Sequence, residues 1–305
     1  MTSQSPRINT RTRYSGKHHI LYCQCDETQG PPTTDNNTMK FRPCIDLHSG
    51  VVKQIVGSTL IDDKQNALQA TSVSSPAENF STEKPAAEYA EMYRRDGLTG
   101  GHVIMLGPGN EEAAKAALAA YPNGLQIGGG ITTDNALEWI SHGASHVIVT
   151  SFVFHNGQID FDRLHSLVHL IGKEKLVLDL SCRRKVGDTE GEYFVVTDRW
   201  QTYTDVAVNE STLRMLGSYC SEFLVHGVEN EGKRCGILED LVVLLGKYSP
   251  VPVTYAGGVK GMEDLERVKE LGGGKVDLTI GSALDCFGGD ISYDEVVAWQ
   301  KRENQ

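Results

Sequence analysis

A repeated alternation constrains this chain more than any other feature. Short apolar runs, bounded by turn residues, are each followed by a helix-like stretch of about 10 to 15 residues, the pattern of βα units on a parallel sheet. Eight runs qualify as strands: "FRPCID" (41–46), "GHVIMLG" (101–107), "GLQIG" (124–128), "SHVIVT" (145–150), "KLVLDL" (175–180), "EFLVH" (222–226), "VPVTYA" (251–256) and "VDLTIG" (276–281). Between them lie helical stretches such as "KPAAEYAEMYRRDG", "DFDRLHSLVHLIG" and "GMEDLERVKELGG", several ending in glycine as helix C-termini commonly do. The runs are apolar throughout, which is expected of strands covered on both faces.

Alternation alone leaves open a doubly wound sheet and a closed barrel. An internal repeat decides between them. "IGGGI" begins at Ile127 and "YAGGV" at Tyr255; "VTS" begins at Val149 and "IGS" at Ile280; "CID" ends at Asp46 and "VLD" at Asp179. Three strand-end features thus recur at nearly one spacing. A four-plus-four duplication closes naturally into an eightfold barrel, so the predicted fold is α/β: a TIM (β/α)8 barrel with half-barrel duplication, one domain over 39–305.

The C-terminal ends of barrel strands, with the loops after them, build the active face. Asp46 and Asp179 end strands 1 and 5, on opposite sides of the mouth. A carboxylate closing an apolar strand is costly to bury without a partner, and a structural hydrogen bond to a loop would account for either one alone. Two at symmetry-related positions point to an acid/base pair. The glycine turns, Gly129 with Gly130 and Gly257 with Gly258, permit close backbone approach, and the helix N-terminus after each favours an anion. Thr150 and Ser151 after strand 4, and Gly281 and Ser282 after strand 8, supply a second contact in each half. The predicted ligand is therefore a small molecule with a phosphate at each end.

A formal charge of −11 opposes non-specific attraction to nucleic acid or acidic lipid, so any anion must be held by local donors. No apolar run approaches the roughly 20 residues of a membrane span. Neither nucleic acid nor membrane is an expected partner, and the chain is read as a monomer. Seven cysteines at irregular spacings argue against a disulfide framework and for a reducing compartment. "HHILYCQC" (18–25) fits no usual zinc spacing, and no metal is expected. Residues 1–38 are rich in Arg, Ser and Thr and carry no acid before Asp26, as in a disordered leader or an organelle transit peptide. Import into a plastid and an untargeted tail on a cytoplasmic protein are the two readings.

Over about residues 40 to 303, the order and spacing of "RPCIDLHSGVVKQIVGSTL", "LQIGGGI", "HVIVTS", "LVLDLSCRRK", "FLVHGVENEGK", "VTYAGGV" and "VDLTIGSALDCFGG" resemble one family. This is the phosphoribosylformimino-5-aminoimidazole carboxamide ribotide isomerase of histidine biosynthesis, in its eukaryotic, plant-like form. The resemblance implies an Amadori rearrangement of an aminoaldose to an aminoketose on a doubly phosphorylated substrate, without metal or organic cofactor. It implies Asp179 as general acid opening the ribose ring and Asp46 as base at the adjacent carbon. It also implies Trp200 as a residue packing on the substrate, in a lid after strand 5. The polar loop 57–84 is a second lid candidate. His226 and Glu231 stand where bacterial members have a Thr and, five residues on, an Asp. His226 is counted with the catalytic groups and Glu231 with the substrate contacts. The runners-up are the imidazole glycerol phosphate synthase cyclase, a sister barrel, and a non-catalytic sugar-phosphate-binding barrel.

Overall fold

A computed structural model of the chain describes residues 38–55, 78–185, 187–188, 190–198 and 200–304. All of the expected leader but its last residue, the "HHILYCQC" stretch and most of the loop 57–84 lie outside the described residues. Among the described residues eight parallel strands run in chain order: β1 (Cys44–His48), β2 (Gly101–Met105), β3 (Leu125–Gly128), β4 (Val147–Val149), β5 (Leu176–Asp179), β6 (Glu222–His226), β7 (Val253–Ala256) and β8 (Val276–Thr279). A parallel bridge between Phe41 and Leu278 closes the ring, with the Arg42 amide donating to the Leu278 carbonyl at 2.8 Å and the Leu278 amide to the Lys40 carbonyl at 2.9 Å. The expected barrel forms.

β1 begins later than 41 for a simple reason. Pro43 has no N–H to give a ladder. The chain before it pairs with β8, and the chain after it pairs with β2, to which Pro43 contributes only its carbonyl, accepting from the His102 amide at 2.9 Å. The first strand therefore changes partner at the proline.

Each strand is followed by a helix: α1 (Ala86–Arg95), α2 (Glu111–Ala120), α3 (Ala136–Ser141), α4 (Phe161–Ile171), α5 (Glu210–Leu216), α6 (Glu239–Tyr248), α7 (Met262–Leu271) and α8 (Tyr293–Glu303). In α1 the buried positions are Ala86, Tyr89, Ala90 and Tyr93, the i, i+3, i+4, i+7 stripe of a helix lying on a sheet. Tyr93 then donates its hydroxyl to the Cys44 carbonyl at 2.9 Å, pinning the helix behind β1. Side-chain caps set other starts: Asp160 accepts from the Arg163 amide before α4, and Asn209 from the Thr212 amide before α5. None of the described helices is long and apolar enough to cross a membrane.

The barrel interior is layered. At the N-terminal end Arg42 pairs with Asp277 at 2.7 Å and lies 3.9 Å from Glu222, whose other hydrogen bonds come from Gln126 and Thr254. A dry middle layer of Ile148, Val177 and Leu224, with Ile104 against it, separates this plug from the mouth. The mouth is polar again, so the apolar layer isolates its charges from those below. Three additions decorate the mouth: a hairpin of Val51–Ile55 and Glu78–Thr82 after β1, a small one of Phe154–His155 and Gln158–Ile159 after β4, and a three-stranded sheet (Cys182–Arg183, Phe194–Thr197, Thr202–Ala207) after β5.

Candidate active site

Strand ends bring five polar groups to the mouth from four elements. Asp46 comes from β1, Asp179 and Ser181 from the end of β5, His226 from the end of β6 and Glu231 from the loop after it. Asp46 accepts a hydrogen bond from the Gln54 carboxamide at 2.9 Å. Burial, reinforced by the nearby Glu231 carboxylate and only partly opposed by His226 and Gln54, pushes the Asp46 carboxyl up to about 7. Near neutrality it exchanges a proton readily.

Asp179 behaves in the opposite sense. Its Oδ1 accepts from the Ser181 amide at 2.7 Å and the Ser181 hydroxyl at 2.6 Å, while Oδ2 accepts from Thr150 at 3.1 Å. Burial works against its charge, but His226 and these donors outweigh burial and hold its pKa below the ordinary carboxylate range. His226 Nδ1 lies 3.1 Å from the Ser181 oxygen and 3.8 Å from Asp179. The longer distance is an ion pair rather than a direct hydrogen bond. Since the Ser181 hydroxyl donates to Asp179, its oxygen is left to accept from the imidazole, which links the pair through Ser181. Burial lowers the His226 pKa, yet Asp179 with Glu231 and Asp46 carries it to about 8. His102 on β2, its ring centroid 6.1 Å from that of His226, is driven down to about 3 by burial and by His226, and stays neutral.

The two glycine turns share one backbone form. Gly129 and Gly130 have φ of 95° and 71°, Gly257 and Gly258 of 120° and 79°. A Cβ at Gly129 would lie 2.1 Å from the Met105 carbonyl oxygen, and one at Gly258 2.2 Å from that of Gly236. Only glycine fits these approaches. The amides of all four glycines donate no hydrogen bond among the described residues, which leaves them as donors for an anion. A cavity open to solvent is walled by Asp46, His226 and Glu231 together with Gly257, Gly258, Gly281 and Ser282. Gly129, Gly130, Thr150, Ser151 and Asp179 belong to the other half of the mouth and are not part of that wall.

The profile of a family described as "Histidine biosynthesis protein" matches residues 40–292, most of the barrel. The chain belongs to this family. Curated relatives extend the match. A chloroplastic 1-(5-phosphoribosyl)-5-((5-phosphoribosylamino)methylideneamino) imidazole-4-carboxamide isomerase of Medicago truncatula is 56% identical over 278 residues, covering 90% of this chain and 86% of the relative. Isomerases of the same name from Neurospora crassa and Saccharomyces cerevisiae are 51% and 43% identical, each covering 87% of this chain and 99% of their own length.

Within this family member, several expected contacts take a different form. The turns do not run straight into helices: Ile131–Asn135 and Val259–Gly261 intervene. Asn135 accepts from the Thr132 amide at 2.9 Å, and Asp264 from the Lys260 amide at 2.8 Å, so local side chains already engage these turns. The glycine amides are among those left free. Thr150, expected beside a phosphate, donates to Asp179. Trp200 is half-buried with φ of 65°, its ring centroid 5.6 Å from that of His226 at the mouth.

The sheet that carries Trp200 is latched to the loop after β6 and to the first turn of α6. The Arg184 amide donates to Glu229 at 2.7 Å, its guanidinium bonds Asp240 and lies 4.1 Å over the Tyr193 ring, and Tyr193 donates to Asp240 at 2.9 Å. Glu229 is thus part of a structural clasp.

Several cavity residues escaped the sequence reading, Gln54, His102 and Arg234 among them. Gln54 is buried on the inward face of its strand, where a carboxamide at an otherwise apolar position was a usable signal. Arg234, half-buried with φ of 50°, lines the same cavity as the second glycine turn and Ser282, with its guanidinium donating to the Gly288 carbonyl at 3.4 Å, and nothing in "EGKRCG" marked it.

Proposed function

We propose that this chain is the isomerase of histidine biosynthesis that converts the phosphoribosylformimino aminoaldose to its phosphoribulosyl ketose. Identity of 43% to 56% to relatives with that printed name carries the reading. A mouth with two carboxyls of opposite protonation tendency between two glycine turns fits the reaction.

The rearrangement needs a proton delivered to the ring oxygen, which breaks the C–O bond and leaves a protonated imine. A base then removes the proton from the adjacent carbon, the C–H electrons flow into the imine, and an enolamine results. Proton gain at the former imine carbon and loss from the hydroxyl give the ketone. Asp46, poised near 7, suits the base. On the acid side the proton of the free chain rests on His226 while Asp179 is ionised. Asp179, Ser181 and His226 therefore act as one proton-bearing unit, and an arriving phosphate dianion raises the affinity of that unit for its proton. The turns at Gly129–Gly130 and Gly257–Gly258, with Ser151 and Ser282, hold the two phosphates; Arg234 adds charge to the second. Trp200 and Glu231 face the imidazole carboxamide portion.

The printed location of the Medicago relative and the Arg-rich, acid-poor leader support a plastid enzyme, and fusion of residues 1–38 to a fluorescent reporter tests that. For the activity, the purified chain is supplied with the aminoaldose bisphosphate, and the ketose is followed by NMR. Conversion without ammonia or a glutaminase separates the isomerase from the cyclase, and no conversion refutes the reading.

A further inference from the structure

We propose that Gln54 is the positioning residue of the base: its carboxamide orients Asp46 and serves that carboxyl both before and after it takes the substrate's proton. The proposal rests on the isomerase reading and goes beyond it, because it assigns a role to the hairpin after β1.

In the strand Val51–Ile55, Val52 and Gln54 point inward, 1% and 3% exposed. A buried carboxamide needs partners for its donor and acceptor ends. Nε2 donates to Asp46 Oδ2 at 2.9 Å, with Cys44 Sγ at 3.9 Å. The other end lies against the phosphate turn after β8, where a Cβ at Gly281 would be 2.5 Å from Oε1. The glycine at 281 thus does two things at once: it opens the backbone to an anion and makes room for the carboxamide. Around Asp46 stand Glu231 from the loop after β6, His226 from the end of β6 and Cys44 on its own strand, with His102 from β2 and Arg234 also in the cavity wall. Among the described residues, Gln54 alone hydrogen-bonds the Asp46 carboxyl.

The choice of residue type follows from the proton balance. Oδ1 takes the proton from carbon, while Oδ2 accepts from the Gln54 Nε2 both as part of the carboxylate and as the carbonyl oxygen of the acid. A neutral donor therefore serves both states, whereas a lysine would hold the carboxyl ionised and an ionised glutamate has no proton to donate. Gln54 holds one oxygen of Asp46 in place through the change, which leaves the other free to face the sugar carbon.

The test is the pH dependence of turnover on the aminoaldose, measured on the full chain for wild type, Gln54→Met and Gln54→Lys. Methionine keeps the volume and removes both hydrogen-bonding ends. The acidic limb of kcat moves up by roughly one pH unit, the loss of one charge-assisted hydrogen bond. At pH 7 the ionised fraction then falls from about one half to about one eleventh, a roughly fivefold drop in kcat relative to wild type, and the ratio of variant to wild type returns towards one at pH 9, with KM changed less than about twofold. Lysine moves the limb downward and lowers the plateau, because it stabilises the carboxylate and so makes it a weaker base. A merely structural glutamine gives losses that do not depend on pH. An active wild type with an unmoved limb in both variants overturns the proposal and leaves the isomerase reading intact, whereas an inactive wild type overturns both.

Discussion

Replacing Asp46 by Asn should make the protein more stable at alkaline pH while removing its chemistry. Folding raises the Asp46 pKa from 3.8 to about 7, chiefly by burial and then by Glu231. The sign follows by linkage. Below about pH 4 both folded and unfolded chains hold the proton, and the group is neutral in the balance. Between pH 4 and 7 the unfolded chain releases a proton that the folded chain keeps, so stability falls as pH rises, and above 7 the whole cost is present. Three units at about 1.4 kcal/mol each set a ceiling of about 4 kcal/mol. Water in the open cavity screens part of this, leaving about 1–3 kcal/mol. Asn keeps the shape and still meets Gln54, but it carries no charge. Urea unfolding of both proteins at pH 4.5 and pH 8.5 should place the Asp46→Asn midpoint further above wild type at the second pH than at the first. Equal midpoints at pH 8.5, or a lower one for the variant, would refute the claim that this carboxylate is held in an unfavourable place for its reactivity.

Other perturbations probe other parts of the mouth. Arg234→Met should raise KM about tenfold with kcat changed less than threefold, as expected for a charge contributing to phosphate binding, and steady-state kinetics separate the two. Gly258→Ala should cost more than about 2 kcal/mol, since its Cβ would meet the Gly236 carbonyl, whereas Gly130→Ala, with nothing within 4 Å, should cost about 1 kcal/mol from its left-handed backbone alone; denaturant midpoints compare them. His226 holds its proton up to about pH 8, so the basic limb of the kcat profile should fall there in wild type and be absent from His226→Gln, whose residual rate should be pH-independent above neutrality.

Much of this barrel could be read from the chain because strands covered on both faces leave uninterrupted apolar runs, and because duplication repeats the strand ends. The eight strands in their order and the paired glycine turns follow from those two facts. Relations between distant side chains were harder to see. Thr150 meets Asp179, and Glu229 meets Arg184, only because neighbouring strand ends converge. The sense of the acid/base separation was also invisible: it depends on Ser181 and His226 gathering around Asp179 while Glu231 crowds Asp46. Pro43 shifted the first strand by one partner, a local effect that an apolar run does not announce.

The central claim is that the halves of the duplication each contribute one carboxyl to a single reaction and one turn to a single bisphosphate. The most direct measurement is turnover of the aminoaldose by Asp46→Asn, Asp179→Asn and the double variant, with the dissociation constant of the ketose product taken on the same samples. The account predicts that each single change lowers kcat by about 100- to 10,000-fold while product binding changes less than about threefold, and that the double variant is little worse than the weaker single one. Near-normal turnover by either single variant would contradict it.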